Sequence, residues 1–206
     1  KIPVDYPSIH FPDIPDVGPR LGKFPPPESN EEINSDGYWE INSDGYWDTL
    51  ETSDYLTLTI DLDFGVRNIV VRELRLKYGA IELKNVGETG QLRLFVEESI
   101  VNSSKNGRIN ISGEGSSRSS ALSLYYYGTR QTPDTCFNMV GNLFSRTANV
   151  KLANNARIVG SVFSGGSIVE VMGSATTIDG IIYAPNAKVR VNNGANAGPV
   201  VGYAIE

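Results

Sequence analysis

Three stretches near the C-terminus constrain the fold most strongly. "VKLANNARIVGSVF" begins at Val150, "VEVMGSATTIDGIIY" at Val169 and "VRVNNGANAGPVVGY" at Val189. Each holds an apolar-x-apolar pair, a small polar turn, an alanine and a second apolar stretch. Ala156, Ala175 and Ala195 align, 19 and 20 residues apart. A repeat of about twenty residues with two or three short strands is one coil of a β-solenoid. One coil cannot bury its inward side chains alone, so stacked neighbours must complete the core. The Asn-rich corners fit this geometry: Asn and Gly tolerate the left-handed backbone of a sharp corner, and stacked Asn side chains can bond between coils.

Upstream, short runs alternate with period two. "YLTLTIDLDF" places Leu56, Leu58, Ile60 and Leu62 on one face. Leu74 and Leu76, Ile81 and Leu83, then Leu92, Leu94 and Val96 follow the same rule, as do Ile109 and Ile111, and Leu122, Leu124 and Tyr126. Such runs, bounded by Gly, Asn and Ser, are strands. The expected fold class is all-β: a parallel β-helix (β-solenoid) with coils of about 20 residues. An antiparallel β-sandwich or jelly roll is the alternative, since its hairpins also alternate. The near-constant tail spacing and the lack of consistent two-residue hairpin turns favour the solenoid.

Eight of the eleven prolines fall within the first 27 residues. Proline at that density blocks helix and sheet ladders, so residues 1–31 read as an extended strap or linker. Ile9, Phe11, Ile14, Val17 and Leu21 favour a strap lying on a neighbouring surface. Residues 32–206 form the β-helix domain, with 32–54 as an aromatic lead-in and capping segment. A net charge of -6 argues against nucleic acid or an anionic membrane as partner. A single cysteine, Cys136, excludes an intramolecular disulfide and a cysteine-rich zinc site. No apolar run approaches the ~20 residues of a transmembrane helix; a signal or membrane anchor of a parent chain would lie upstream of Lys1.

The octapeptide EINSDGYW occurs twice in tandem, Glu32–Trp39 and Glu40–Trp47. In the second copy Glu40, Asn42, Asp44, Asp48 and Glu51 approach the spacing of a calcium loop. Glu at the first position crowds such a site, and the plainer reading of Asn-Ser-Asp-Gly is a tight turn. Calcium is therefore the only cofactor that the residues suggest. Tyr38, Trp39, Tyr46 and Trp47, with Tyr125 and Tyr127, are candidate ligand-binding aromatics, because flat rings stack on sugar rings. The competing reading is that these rings cap an end of the core. For catalysis, Asp61 and Asp63 would lie roughly 7 Å apart on one strand face. They read more simply as the solvated side of that strand. His10 sits in the proline-rich segment and Cys136 has no evident His partner, so no catalytic set emerges.

"GIIYAPNAKVRVNNGANAGPVVGYAIE", Gly180 to Glu206, resembles the C-terminal motif of the β-helical domains on PilX-like type IV pilus assembly proteins and related bacterial surface proteins. Tyr183, Ala184, Pro185, Asn186 and Ala187 match its most recognisable part; "LRLFVEESI" and "ALSLYYYGT" resemble its upstream strands. Tapirins, surface adhesins that bind cellulose, share this architecture. The resemblance implies a non-catalytic domain at the extracellular bacterial cell surface, pilus-associated or adhesin-like. Its partners would be an insoluble polysaccharide such as cellulose, or other pilus and surface proteins. Rival readings are a polysaccharide-active β-helix lyase or hydrolase, and a self-polymerising structural solenoid.

Overall fold

The computed structural model describes residues 7–24, 39–52, 57–102, 107–131 and 137–206. The strands run, in chain order, β1 (Arg20–Phe24), β2 (Trp39–Ile41), β3 (Gly45–Glu51), β4 (Thr57–Asp61), β5 (Val66–Leu76), β6 (Ala80–Lys84), β7 (Gln91–Asn102) and β8 (Gly107–Gly113). After two short 3-10 turns come β9 (Leu122–Tyr126), β10 (Phe137–Val140), β11 (Asn142–Ser145), β12 (Val150–Leu152), β13 (Arg157–Val159) and β14 (Val162–Ser164). The chain ends with β15 (Ile168–Met172), β16 (Thr177–Ile178), β17 (Ile182–Asn192), β18 (Asn196–Ala197) and β19 (Val200–Ile205).

The strands alternate between two parallel sheets. The larger runs β1-β3-β5-β7-β9-β11-β14-β17, with β12 and β15 stacked below the long β17 and β19 at its edge. The smaller runs β2-β4-β6-β8-β10-β13-β16-β18. Every paired strand is parallel to its neighbour, so the chain is a β-solenoid of about seven turns and ~23 residues per turn. A sandwich would need antiparallel pairs, and none occurs among the described residues.

The coil length varies along the rod. Near the C-terminus Leu143 pairs with Val162 and Val162 with Ile182, steps of 19 and 20 residues. In the middle Gly107 pairs with Phe137, a step of 30. Part of the extra length in these middle coils is the 3-10 excursion over Glu114–Ser117 and Ser119–Ala121. Arg118 ties it down: its guanidinium donates to the carbonyls of Gly87 (2.8 Å), Glu88 and Gly90 in the preceding corner.

Alternation places one apolar side chain above another. In the small sheet Trp39, Leu58, Ile81, Ile109, Met139, Ile158, Ile178 and Ala197 stack in register, and all but Ala197 are buried. Each such Leu or Ile contributes about 1.5–3 kcal/mol through burial. A glycine column marks one corner: a Cβ on Gly160, Gly180 or Gly198 would stand 2.1–2.4 Å from the carbonyl oxygen of the glycine one coil earlier. Only a bare Cα lets these corners stack.

Two expected details change. The alanine alignment slips by one in its middle member: Thr177 pairs with Arg157, so buried Thr176, not exposed Ala175, stacks on Ala156 and Ala195. Ile111 is exposed because Asn110 takes a left-handed φ of 55° and reverses the alternation. The buried Asn110 amide then donates to the carbonyls of Gly115 (3.0 Å) and Val140 (2.8 Å).

Candidate binding surface

The outward side of the large sheet carries an aromatic row that follows from register. Phe95 pairs with Tyr125, Tyr125 with Phe144, Phe144 with Phe163 and Phe163 with Tyr183. Ring centroids are 5.1, 4.7 and 4.6 Å apart for the first three contacts, with interplanar angles of 19°, 23° and 7°. The last contact is tilted, at 6.4 Å. Spacings near the ~4.8 Å strand separation are what stacked coils impose. Because each ring lies on its neighbour, the half-buried Tyr125, Phe144, Phe163 and Tyr183 turn edges rather than broad faces outward, while Phe95 is covered.

Residues 7–17 lie along this row. The Tyr183 hydroxyl donates to the carbonyl of Pro7, and the Tyr127 hydroxyl to that of Pro12. Phe11 meets the Tyr127 ring edge-on at 6.4 Å. Ile9, Phe11, Ile14 and Val17 are half-buried while Ser8, His10, Asp13 and Asp16 point to solvent. The segment makes no strand ladder, as its prolines require, and joins β1 through Gly18, whose φ of 97° turns the chain. Leu21, in β1, is exposed.

Around the Tyr127 end lies a cleft of about 400 Å³ lined by Glu73, Glu97, Glu98, Tyr127, Thr129 and Arg130, among others. It forms where β5 and β7 shift register between Val71 and Glu73, a bulge that re-aims side chains. Its acids have partners. Glu97 accepts from the Tyr46 hydroxyl (2.5 Å), Glu98 pairs with Arg72 (3.2 Å), and Glu73 pairs with Arg75 (2.8 Å) and accepts from Ser99 (3.2 Å). The bond to Glu97, with burial, raises the Tyr46 phenol above its ordinary value. Burial raises Tyr126 and Tyr127 likewise. Arg20 covers the Tyr46 ring at 5.6 Å and Arg146 the Tyr127 ring at 5.5 Å.

The tandem octapeptide contributes mostly to the core. Tyr38 lies outside the described residues, with the rest of the first copy before Trp39. Trp39 and Trp47 are each 7 % exposed and face inward, and Phe24 closes on both edge-to-face at 6.0 and 5.9 Å. They cap the N-terminal end of the core and offer no free face to a ligand. Tyr46 points outward; Tyr125 and Tyr127 are half-buried on the row. Asn-Ser-Asp is a corner between the two sheets rather than a hairpin.

The calcium candidates do not converge. Glu40 faces Lys84 at 3.5 Å and Asn42 is exposed in the corner. Asp44 accepts from the backbone and side-chain amides of Asn68 (3.0 and 3.1 Å). Asp48 pairs with Arg20 and Arg72, and Glu51 with Lys23, Arg75 and Lys77. Among the described residues no three acidic, His or Cys side chains are grouped to hold a metal. An extended strand with cationic neighbours has taken the place of a ligand loop.

Asp61 and Asp63 do not form a pair on one face. β4 ends at Asp61, whose carboxylate accepts from the Asn85 side chain (2.9 Å) and the Asp63 amide (2.8 Å), while Asp63 turns left-handed at φ 46°. His10 is exposed on the strap, and Cys136 lies outside the described residues. Sequence reasoning passed over Phe95, Phe144, Phe163 and Tyr183 as one set. The signal was there, an outward aromatic at steps of 30, 19, 19 and 20 residues, but it is legible only once coil register is known. Comparison with protein-family models, curated proteins and solved structures returned no match.

Proposed function

We propose that the chain is a non-catalytic attachment domain, displayed at the bacterial cell surface as part of a pilus-associated or adhesin-like protein. The observation that carries the reading is the in-register outward row from Phe95 to Tyr183 on a rigid parallel rod. A continuous hydrogen-bonded stack holds that row straight, which suits contact with an extended, repetitive ligand. The resemblance of Tyr183–Ala187 and its surroundings to PilX-like surface domains supports the same context. Within it, β17 uses Ala184 and Ala187 as inward residues and Tyr183 as an outward one, and Pro185 sits at a register shift where a missing N–H is tolerated.

The ligand class in this reading is an insoluble polysaccharide such as cellulose. Stacked rings offer edges, and the Tyr127 and Tyr183 hydroxyls already donate to the strap at Pro12 and Pro7, so polysaccharide binding rests on the Tyr125 hydroxyl and on the half-buried edges of Phe144 and Phe163. Depletion onto microcrystalline cellulose tests it: Tyr125→Phe with Phe144→Leu should weaken retention several-fold. Equal retention of wild type and variant, or none of either, removes the role.

The acidic cleft favours a second reading, a polysaccharide-active enzyme, because Glu73, Glu97 and Glu98 share it with Tyr127 and Arg130. Release of reducing ends or unsaturated products from a polysaccharide panel, lost on Glu97→Gln, would establish that reading over the first.

A further inference from the structure

Residues 7–17 are seated on the aromatic row as a proline-rich ligand is seated in a receptor. Such receptors read an extended, left-handed proline helix with aromatic side chains, and gain affinity because that helix is already ordered. Here tyrosine hydroxyls donate to the carbonyls of Pro7 and Pro12, and Phe11 packs on the Tyr127 ring edge. The geometry of the path is equally particular. Pro7 sits beside β17 and Arg20 begins β1, the two ends of an eight-strand path β1-β3-β5-β7-β9-β11-β14-β17. Seven strand spacings of ~4.8 Å make about 34 Å, and thirteen residues of polyproline helix at ~3.1 Å reach about 40 Å. A helical segment of that length, at ~1.5 Å per residue, would span only about 20 Å. A segment of that length must be extended to cross these eight strands.

We propose that the outer face of the large sheet is a docking groove for a proline-rich extended segment, and that a second copy of this chain supplies it by donating its own residues 7–17. The contacts that seat the segment are side-chain and hydroxyl contacts, with no ladder to unzip. The junction is Gly18, which lies outside the β1–β3 ladder, has a left-handed φ of 97° and has open space around it. Exchange of an identical element keeps every contact and changes only which chain supplies it. In the isolated chain the tethered segment wins because its effective concentration is in the millimolar range. Linkage between copies therefore appears when copies are crowded, or when one segment is loosened.

Two full-length variants test this by complementation. Ile9→Ser with Phe11→Ser weakens the segment and leaves the groove intact. Tyr127→Phe with Tyr183→Phe weakens the groove and leaves the segment intact. All four positions lie outside the solenoid core, and unchanged far-UV circular dichroism checks folding. Each variant alone should run as a 22.4 kDa monomer by multi-angle light scattering. An equimolar mixture should form a 1:1 complex at tens of micromolar, and a synthetic peptide of residues 7–17 should dissolve it. The same peptide should bind the segment variant at least tenfold tighter than its scrambled version. A mixture that stays monomeric up to near-millimolar concentration overturns the proposal. So does peptide binding without complex formation, since the occupant would then be a different proline-rich chain.

Discussion

The Trp47 indole lies on the bare Cα of Gly45: a Cβ at position 45 would stand 2.4 Å from Cη2 of the ring. Gly45 is extended and inside β3, so its role is to make room rather than to turn the chain. Gly45→Ala must push the ring out of the end cap it forms with Trp39 and Phe24. Overpacking of this kind costs about 1–3 kcal/mol. Urea unfolding should show a lower midpoint with unchanged slope; an unmoved midpoint would contradict the packing.

Glu51 is buried beneath Lys23 (3.1 Å), Lys77 (2.8 Å) and Arg75 (3.7 Å). Burial alone would raise its carboxyl, but hydrogen bonds from Lys77 and Lys23 outweigh it and hold it below the ordinary 4.5. A depressed carboxyl contributes stability that is complete above its unfolded pKa and is lost as pH falls through the folded value. Glu51→Gln should cost about 1–2 kcal/mol at pH 7, at the low end for a charge-assisted bond because the three cations are half-exposed. The difference from wild type should shrink below about pH 4. A constant difference across that range would exclude the ionic account.

Asn110 stands fully buried with its amide donating to two carbonyls. Asn110→Asp puts an acceptor where both donors were. The folded carboxyl is then harder to ionise than the unfolded one, so the penalty grows as pH rises above the unfolded value of about 3.9. Near pH 7 it should reach about 3 kcal/mol or more, read as a urea midpoint gap that widens with pH.

Phe144 stacks between Tyr125 and Phe163. Each such pair adds about 0.5–1.5 kcal/mol beyond area burial, so Phe144→Ala should cost about 1–3 kcal/mol although the ring faces outward. A double-mutant cycle with Phe163→Ala should show coupling, and additive costs would argue against the stack.

Much of this fold was legible before the structure. Period-two runs such as Leu92-Leu94-Val96 marked strands, and the spacing of Val150, Val169 and Val189 marked coils; the three valines do stack. The failures were local. Thr176 replaced Ala175 because the middle coil carries one more residue in its corner. Ile111 turned outward because a left-handed Asn110 shifts parity, which no alternation rule detects. The site was less legible than the fold. For Trp39 and Trp47 the sequence leaves a ligand-binding and a core-capping role open, and burial puts both rings in the end cap. The members of the outward row are scattered from Phe95 to Tyr183, and only inter-coil register joins them.

Residues 7–17 are held on the outer face of the large sheet by the Tyr127 and Tyr183 hydroxyls and by the Phe11 ring. Fluorotyrosine labelling followed by fluorine NMR tests it directly. With Ile9→Ser and Phe11→Ser, the resonances of Tyr127 and Tyr183 should shift, since both hydroxyls lose their proline carbonyls. Those of Tyr78 and Tyr203, 46 % and 84 % exposed, should stay in place. Unmoved Tyr127 and Tyr183 resonances in a folded variant would show that the strap does not rest on these hydroxyls.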